Sequence, residues 1–147
     1  MTFTADLSGW CRKTAPEYAD GVVRKVLMEI DSKLVLRSPV GDPSNWSPQS
    51  LPAPPGYVGG RFKGNWQYSR NTPETGQIDR IDPSGAIGSA ERVGAIMSGP
   101  TSTVHFFANN LPYAQRIEDG WSWNQAPLGI INRIELELPS IFEQAKR

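Results

Sequence analysis

Asn109-Asn-Leu-Pro-Tyr-Ala-Gln-Arg-Ile-Glu-Asp-Gly-Trp-Ser-Trp-Asn-Gln-Ala-Pro-Leu-Gly129 is the stretch on which the rest of the chain turns. It spells a short capped helix, a glycine stop, an aromatic loop and the start of a second helix. Asn110 is placed to cap the first turn. Pro112 is tolerated there because its missing N–H would be unpaired in any case. Tyr113, Ala114 and Ile117 fall on one face. Gly120 suits the left-handed position just past a helix end. Asn124 is placed to cap the next helix, with Pro127 in its first turn. The stretch reads as a joint that holds two pieces of protein at a fixed angle, and it carries no recognisable catalytic set.

Downstream, the last helix is expected from near Gln125 through Ile130, Ile131, Ile134 and Leu138. Pro139 should kink or break it, because an interior proline loses a hydrogen bond and clashes with the preceding turn. Ile141, Phe142 and Ala145 continue beyond. Upstream, Ser102–Ala108 (STVHFFA) is the strongest strand, rich in β-branched and aromatic residues. Ala86, Ile87, Ala90, Val93 and Ile96 have helical spacing, which predicts a helix over Ser84–Met97 closed by Gly99-Pro100. Trp66 and Tyr68 alternate with polar neighbours in a strand over Asn65–Arg70, and Gln77–Ile81 offers another strand. Nearer the N-terminus, Thr14-Ala-Pro-Glu17 is a capping box. It opens a helix over Ala15–Leu36, with Tyr18, Val22, Val23, Val26, Leu27, Ile30 and Leu34 on one face. Asp20, Arg24, Lys25, Glu29, Asp31 and Lys33 occupy the other. A shorter helix over Phe3–Lys13 precedes it, with Phe3, Leu7 and Trp10 on one side. These elements predict an α+β fold: a small antiparallel sheet packed by a long N-terminal helix, a middle helix and a C-terminal helix.

Between Gly41 and Gly60, Pro, Gly, Ser and Asn dominate and apolar periodicity is lost. So long an irregular stretch inside a compact domain is usually functional or disordered. Two readings stand: an arm that orders on a partner, or a loop strapped over the core by Trp46 and Tyr57.

At 147 residues the chain is expected to form one domain. Lys plus Arg and Asp plus Glu both number 15, giving zero formal charge. That balance argues against a protein that coats nucleic acid, and it leaves self-association unopposed by net repulsion. The single Cys11 rules out an internal disulfide and fits a reducing compartment. No apolar run approaches the roughly 20 residues that span a bilayer. The start MTFTADLSGWCRK lacks the basic, then apolar, pattern of a signal peptide. Residence in a cytoplasm is expected, unless the chain is carried out inside a larger particle. Trp46, Trp66, Trp121 and Trp123 lie in or beside predicted loops. There they either close small cores or form a contact surface, since Trp is enriched at interface hot spots.

Catalytic candidates are weak. His105 is the only histidine, and it shares a strand face with Thr103 and Phe107. That is the usual setting of a structural histidine. A Cys11–His105 pair has no plausible orienting partner. Glu118-Asp119 are adjacent at a helix end and diverge, whereas two-carboxylate hydrolysis needs both acids across one cleft. Helix-end solvation is their better reading, and turn chemistry is that of Asp79 and Asp82. Gly56-Tyr-Val-Gly-Gly-Arg-Phe-Lys-Gly64 lacks the Gly-Lys-Ser/Thr ending of a phosphate loop. Arg61, Lys63, Arg70 and Arg80 read as a solvated face rather than a nucleic-acid patch. Neither a cofactor site nor a metal site is expected.

Three segments in order carry a resemblance: Arg37-Ser-Pro-Val-Gly41; Gly60-Arg-Phe-Lys-Gly-Asn-Trp66; and Asn109–Gly120 followed by Gln125-Ala-Pro-Leu-Gly129. The set resembles the tail-component family of tailed phages, typified by gene product ten of the lambdoid relatives. That family runs from a helix through a Ser/Thr-Pro-Val-Asp-Thr-Gly-like turn to a basic residue and a Trp entering a strand. An Asn-Pro/Leu-Tyr-Ala helix ending Glu-x-Gly follows, then a Ser-x-Gln-Ala-Pro-x-Gly element. Ser122, Gln125, Ala126, Pro127 and Gly129 match the last element, with one extra residue between Ser and Gln. The family's compact turn is split here by the Ser44–Gly59 insert, leaving Asp42-Pro43 and Gly60-Arg61-Phe62 as its halves.

The resemblance implies a non-enzymatic virion protein of the head–tail junction, made in the host cytoplasm. It is similar to tail-completion, tail-terminator and neck proteins. Such proteins form rings, commonly of six subunits, between the tail tube protein and the connector or head-completion protein. Genomic DNA passes through such a ring without specific binding, and no membrane is involved. A ring repeats one heterologous contact, so each subunit needs two different complementary faces. The expected contact residues are Trp46, Tyr57, Arg61, Phe62, Trp66, Tyr113, Glu118, Trp121, Trp123, Gln125 and Pro127. Glu135, Glu137 and Glu143 give the last helix an acidic face, either lining a channel or solvated on the outside. A minor tail component or tail-assembly factor is the alternative. A small hydrolase using Glu118 or Asp119 with His105 is the distant one.

Overall fold

The structure, a computed structural model, describes residues 10–46 and 51–147. Most of the helix expected over Phe3–Lys13 lies outside them. Trp10–Thr14 forms a single π-helical turn leading directly into α1 (Ala15–Arg37). That lead-in changes the expected capping box. Thr14 already has helical φ and ψ, and its side chain makes no cap hydrogen bond.

Then follow a short α2 (Arg61–Gly64), β1 (Gln67–Arg70), α3 (Ala86–Ser98), β2 (His105–Ala108), a short α4 (Ala114–Glu118) and α5 (Ile131–Ala145). β1 and β2 pair antiparallel, with Tyr68 opposite Phe107 and Arg70 opposite His105. The architecture is α+β, a two-stranded sheet among helices. Gln77–Ile81 forms no strand. Ile78 N donates instead to the side-chain carbonyl of the buried Asn65 at 2.9 Å.

α1 packs against α3 on one side and α5 on the other. α1 and α5 run antiparallel: Arg37 and Lys33 meet Glu137, while the Tyr18 hydroxyl donates to Lys146 O at the far end. Leu34, Phe62, Trp66, Leu111, Ala126, Ile130 and Ile134 form the main core. Val26, Ile141 and Ala145 form a second core, and Ile30 packs against both.

The charged face expected on α1 is interrupted. Asp31 is buried and pairs with the buried Arg92 of α3, while Ser89 donates to its second oxygen. Arg92 also donates to Trp66 O at 2.9 Å, tying the α1–α3 seam to the start of β1. The C-terminus of α3 is held by two guanidinium groups. Arg24 donates to the carbonyls of Ile96, Met97 and Gly99, and Arg70 to those of Ala95 and Pro100. Cations at these last carbonyls satisfy orphan acceptors and oppose the negative end of the helix dipole.

Pro139 sits inside α5 without breaking it. Both Pro139 and Glu135, whose carbonyl it leaves without an intrahelical partner, are exposed residues. Ile134 and Ile141, on either side of it in sequence, are both buried and anchor the two halves of the helix, one in each core cluster.

Candidate functional site: an aromatic cleft beside a wired joint

The helix ending at Glu118 and the helix beginning at Ile131 are joined by direct wiring. The Glu118 carboxylate accepts from Ile130 N and Ile131 N at 2.9 and 3.0 Å through one oxygen, and from Asn132 N at 2.9 Å through the other. These are the first N–H groups of α5, which have no partner inside the helix and lie at its positive end. Glu118 is thus a cap supplied from another helix rather than a carboxylate left to helix-end solvation. Its neighbour Asp119 accepts from Gln115 at 2.9 Å.

Two left-handed glycines allow the close approach. Gly120 has φ 87° and Gly129 has φ 73°. A Cβ on Gly129 would stand 2.4 Å from Glu118 O, and one on Gly120 would stand 2.6 Å from Pro127 O. The turn at Gly129 also explains why the last helix starts at Ile131 rather than near Gln125. Gln125 N and Ala126 N close a turn on Ser122 O, and right-handed winding resumes only after Gly129. Asn110 and Asn124 are not caps. Asn110 donates to Glu74 O and Gly76 O, and Asn124 lines the cleft described below.

The other conspicuous segments are cross-connected in the same way. The Gln125 amide grips Val40 at both backbone groups, accepting from its N–H at 2.8 Å and donating to its carbonyl at 2.9 Å. Trp66 Nε1 donates to Ser38 Oγ at 2.7 Å, and Ser38 Oγ in turn donates to Leu34 O at 2.6 Å. Asn109 donates to Phe62 O at 2.9 Å. Gly59 lies against Gly41, so close that a Cβ on Gly59 would stand 2.1 Å from Gly41 O. The Pro-rich insert therefore leaves and re-enters at one junction, with Asp42-Pro43 on one side and Gly60-Arg61-Phe62 on the other.

Around this junction opens a cleft of about 650 Å³. Pro39–Asp42, Asn45 and Trp46 line it from the turn after α1. Tyr57 and Gly60–Phe62 line it from the end of the insert. Tyr113, Arg116, Ile117 and residues 121–125 line it from α4 and the aromatic loop. Trp46 and Tyr57 meet edge to face at 5.2 Å between centroids. Arg116 lies over the Trp121 ring at 5.1 Å, a cation–π contact. Trp121 and Trp123 are 70% and 71% exposed.

Burial raises the Tyr113 phenol above its ordinary pKa, against the opposing pull of the nearby Arg61. Asp42 stays below the usual carboxylate range because the Ser44 hydroxyl and N–H both donate to it. Arg61 pairs with the exposed Asp79 at 3.3 Å.

The expected contact residues thus divide. Trp46, Tyr57, Arg61, Tyr113, Trp121 and Trp123 gather on the cleft with their surfaces open. Phe62 and Trp66 are core residues, stacked edge to face at 5.8 Å. Glu118 and Gln125 are intramolecular clamps, and Pro127 meets Gly120 from within the same joint.

The other sequence candidates disperse. Glu137 turns to Lys33 and Arg37 rather than joining Glu135 and Glu143 on an open acidic face, and those two cations hold its carboxyl below the ordinary range. Arg70 is spent on α3, and Arg80 pairs with Glu91. Asp82 is the turn residue its sequence suggested, accepting from Ser84, Gly85 N and Gly88 N. His105 contacts Tyr68 Oη through Nδ1 at 2.8 Å and Thr101 O through Nε2 at 3.0 Å, so both ring nitrogens are committed within the fold. Among the described residues no cluster of His, Cys, Asp and Glu could hold a metal, and no helix is long and apolar enough to cross a membrane. Sequence reading missed the gripping role of Gln125 and the cap at Glu118. Gln125 and Val40 lie 85 residues apart, and the Glu118 cap spans a 12-residue irregular loop in which only the paired glycines hinted at a close approach. No family model, curated protein or solved structure matches the chain.

Proposed function

We propose that this chain is a structural subunit of the head–tail junction of a tailed phage. In this reading it forms a closed ring that completes or terminates the tail tube and joins it to the connector. The observation carrying the reading is how the motif residues divide. Those that resemble the tail-component family lock one another into a rigid joint. The aromatic residues between them are left standing open on a cleft. Exposed Trp and Tyr with adjacent Arg, on a rigid support, is the composition of a protein–protein hot spot. The zero net charge adds no repulsion between copies.

The test is a joining assay. Lysates of the phage lacking this chain should accumulate filled heads and separate tails, and adding the purified chain should restore joined, infectious particles. Normal particles without the chain would overturn the proposal.

A further inference from the structure

The insert that ends on the cleft carries its own candidate occupant. Leu51-Pro-Ala-Pro-Pro-Gly56 holds three prolines, each with φ fixed near −65°. The residues that precede a proline, Leu51, Ala53 and Pro54, are pushed by sterics toward extended or polyproline II backbone. Tyr57 N closes a turn on Pro54 O at 3.0 Å, with Pro55 and the left-handed Gly56 at its centre. The segment is thus stiff before it meets anything. It also bears no charge and faces solvent: Leu51 is 85% exposed, and Pro52, Pro54 and Pro55 are exposed as well. Stiff proline-rich segments dock on clefts lined by aromatic side chains, because little conformational entropy is lost on binding. The cleft of this same chain is such a surface, yet none of its own residues 51–56 lines it.

We infer that the cleft receives the Leu51–Gly56 segment of a second copy of this chain. This rests on the reading of the chain as a self-assembling subunit, and it names the contact. The geometry of the insert permits the exchange. Its ends meet at Gly41 and Gly59 and at the Trp46–Tyr57 pair, so it springs from the rim of its own cleft. Counted from the Trp46–Tyr57 pair, ten residues doubled back reach about 17 Å at most, enough to pass beyond the rim of the cleft. Covering Trp121 and Trp123 alone removes roughly 300 Å² of exposed aromatic surface. The segment's own buried face adds to this, giving a contact at the small end of specific interfaces that a ring repeats at every subunit. Giver and receiver are different surfaces, which is the heterologous contact that a ring repeats.

Two variants of the full chain test the inference. Pro52→Ala/Pro54→Ala/Pro55→Ala relaxes the giver, and Trp121→Ala/Trp123→Ala removes the receiver. All five positions are exposed, and circular dichroism checks that both variants fold. In sedimentation velocity the wild type should self-associate, and each variant alone should do so at least about tenfold more weakly. An equimolar mixture should form a discrete heterodimer, because one variant keeps the cleft and the other keeps the segment. Tryptophan emission from the cleft-bearing variant should shift to the blue on mixing.

Three results would overturn the inference: a wild-type chain monomeric up to millimolar concentration, variants that associate as the wild type does, or two folded variants that ignore each other. If the wild type assembles while both variants are unaffected, only this contact falls. The junction reading is decided separately by the joining assay.

Discussion

Replacing Glu118 with Ala should unfasten the joint on which the cleft is built. The carboxylate serves three N–H groups at the start of α5, and the bonds to Ile130 and Ile131 are partly buried. A hydrogen bond to a charged group contributes about 1.5–3 kcal/mol, and a buried donor left unpaired costs about 1–3 kcal/mol. The charge at the positive end of the helix adds about 0.3–1 kcal/mol. Water can reach the Asn132 bond, and bonds sharing one carboxylate are not additive, so the whole cap amounts to about 3 kcal/mol. In a domain of this size that lowers Tm by about 6–12 °C. Glu118→Gln keeps an acceptor but loses the charge and should cost about half as much. Urea unfolding followed by circular dichroism measures both, with m-values equal to wild type if the unfolded states match. A loss of less than about 0.5 kcal/mol in Glu118→Ala, the range of ordinary surface substitutions, would refute the capping role.

Further outcomes follow from the same network. Arg92→Met should destabilise the fold by about 3–5 kcal/mol, because Asp31 is left buried without its partner; adding Asp31→Leu should recover much of that loss in the same unfolding assay. Gly129→Ala should cost more than about 1 kcal/mol, since the residue is left-handed and its new methyl would press on Glu118 O. Desolvation of Asp82 raises its pKa, but the bonds from Gly88, Ser84 and Gly85 outweigh it and hold the folded-state value below the unfolded one. As pH falls below about 4 the unfolded chain therefore takes up the proton first, and the stabilisation present at neutral pH drains away as pH drops through the folded-state value. Asp82→Asn should flatten that part of the acid limb and leave the rest of the pH profile in place.

Element spacing was largely legible, whereas the caps expected at Thr14, Asn110 and Asn124 and the long-range wiring were not. α1 ends at Arg37, one residue past expectation, because its apolar spacing and Pro39 are both written in a single stretch. Gly120 lies in the left-handed region as its place after a helix suggested. The strand at residues 102–108 exists but is shortened to His105–Ala108, the span that faces β1. Asp31 looked like part of a solvated stripe because nothing nearby in sequence pairs with it, and its partner Arg92 arrives from α3. Pro139 does not end α5, because apolar residues on both sides of it, Ile134 and Ile141, are buried and keep the helix packed through the proline. The aromatic surface of the site was readable as composition. Trp66 and Phe62 were included with it because burial cannot be told from exposure at a loop edge without the core that lies behind it.

The most direct test of the central claim is imaging. Intact tailed particles carrying a labelled copy of this chain should show it as a ring of density between the connector and the tail tube. A label absent from the particle, or found as isolated copies away from that junction, would contradict it.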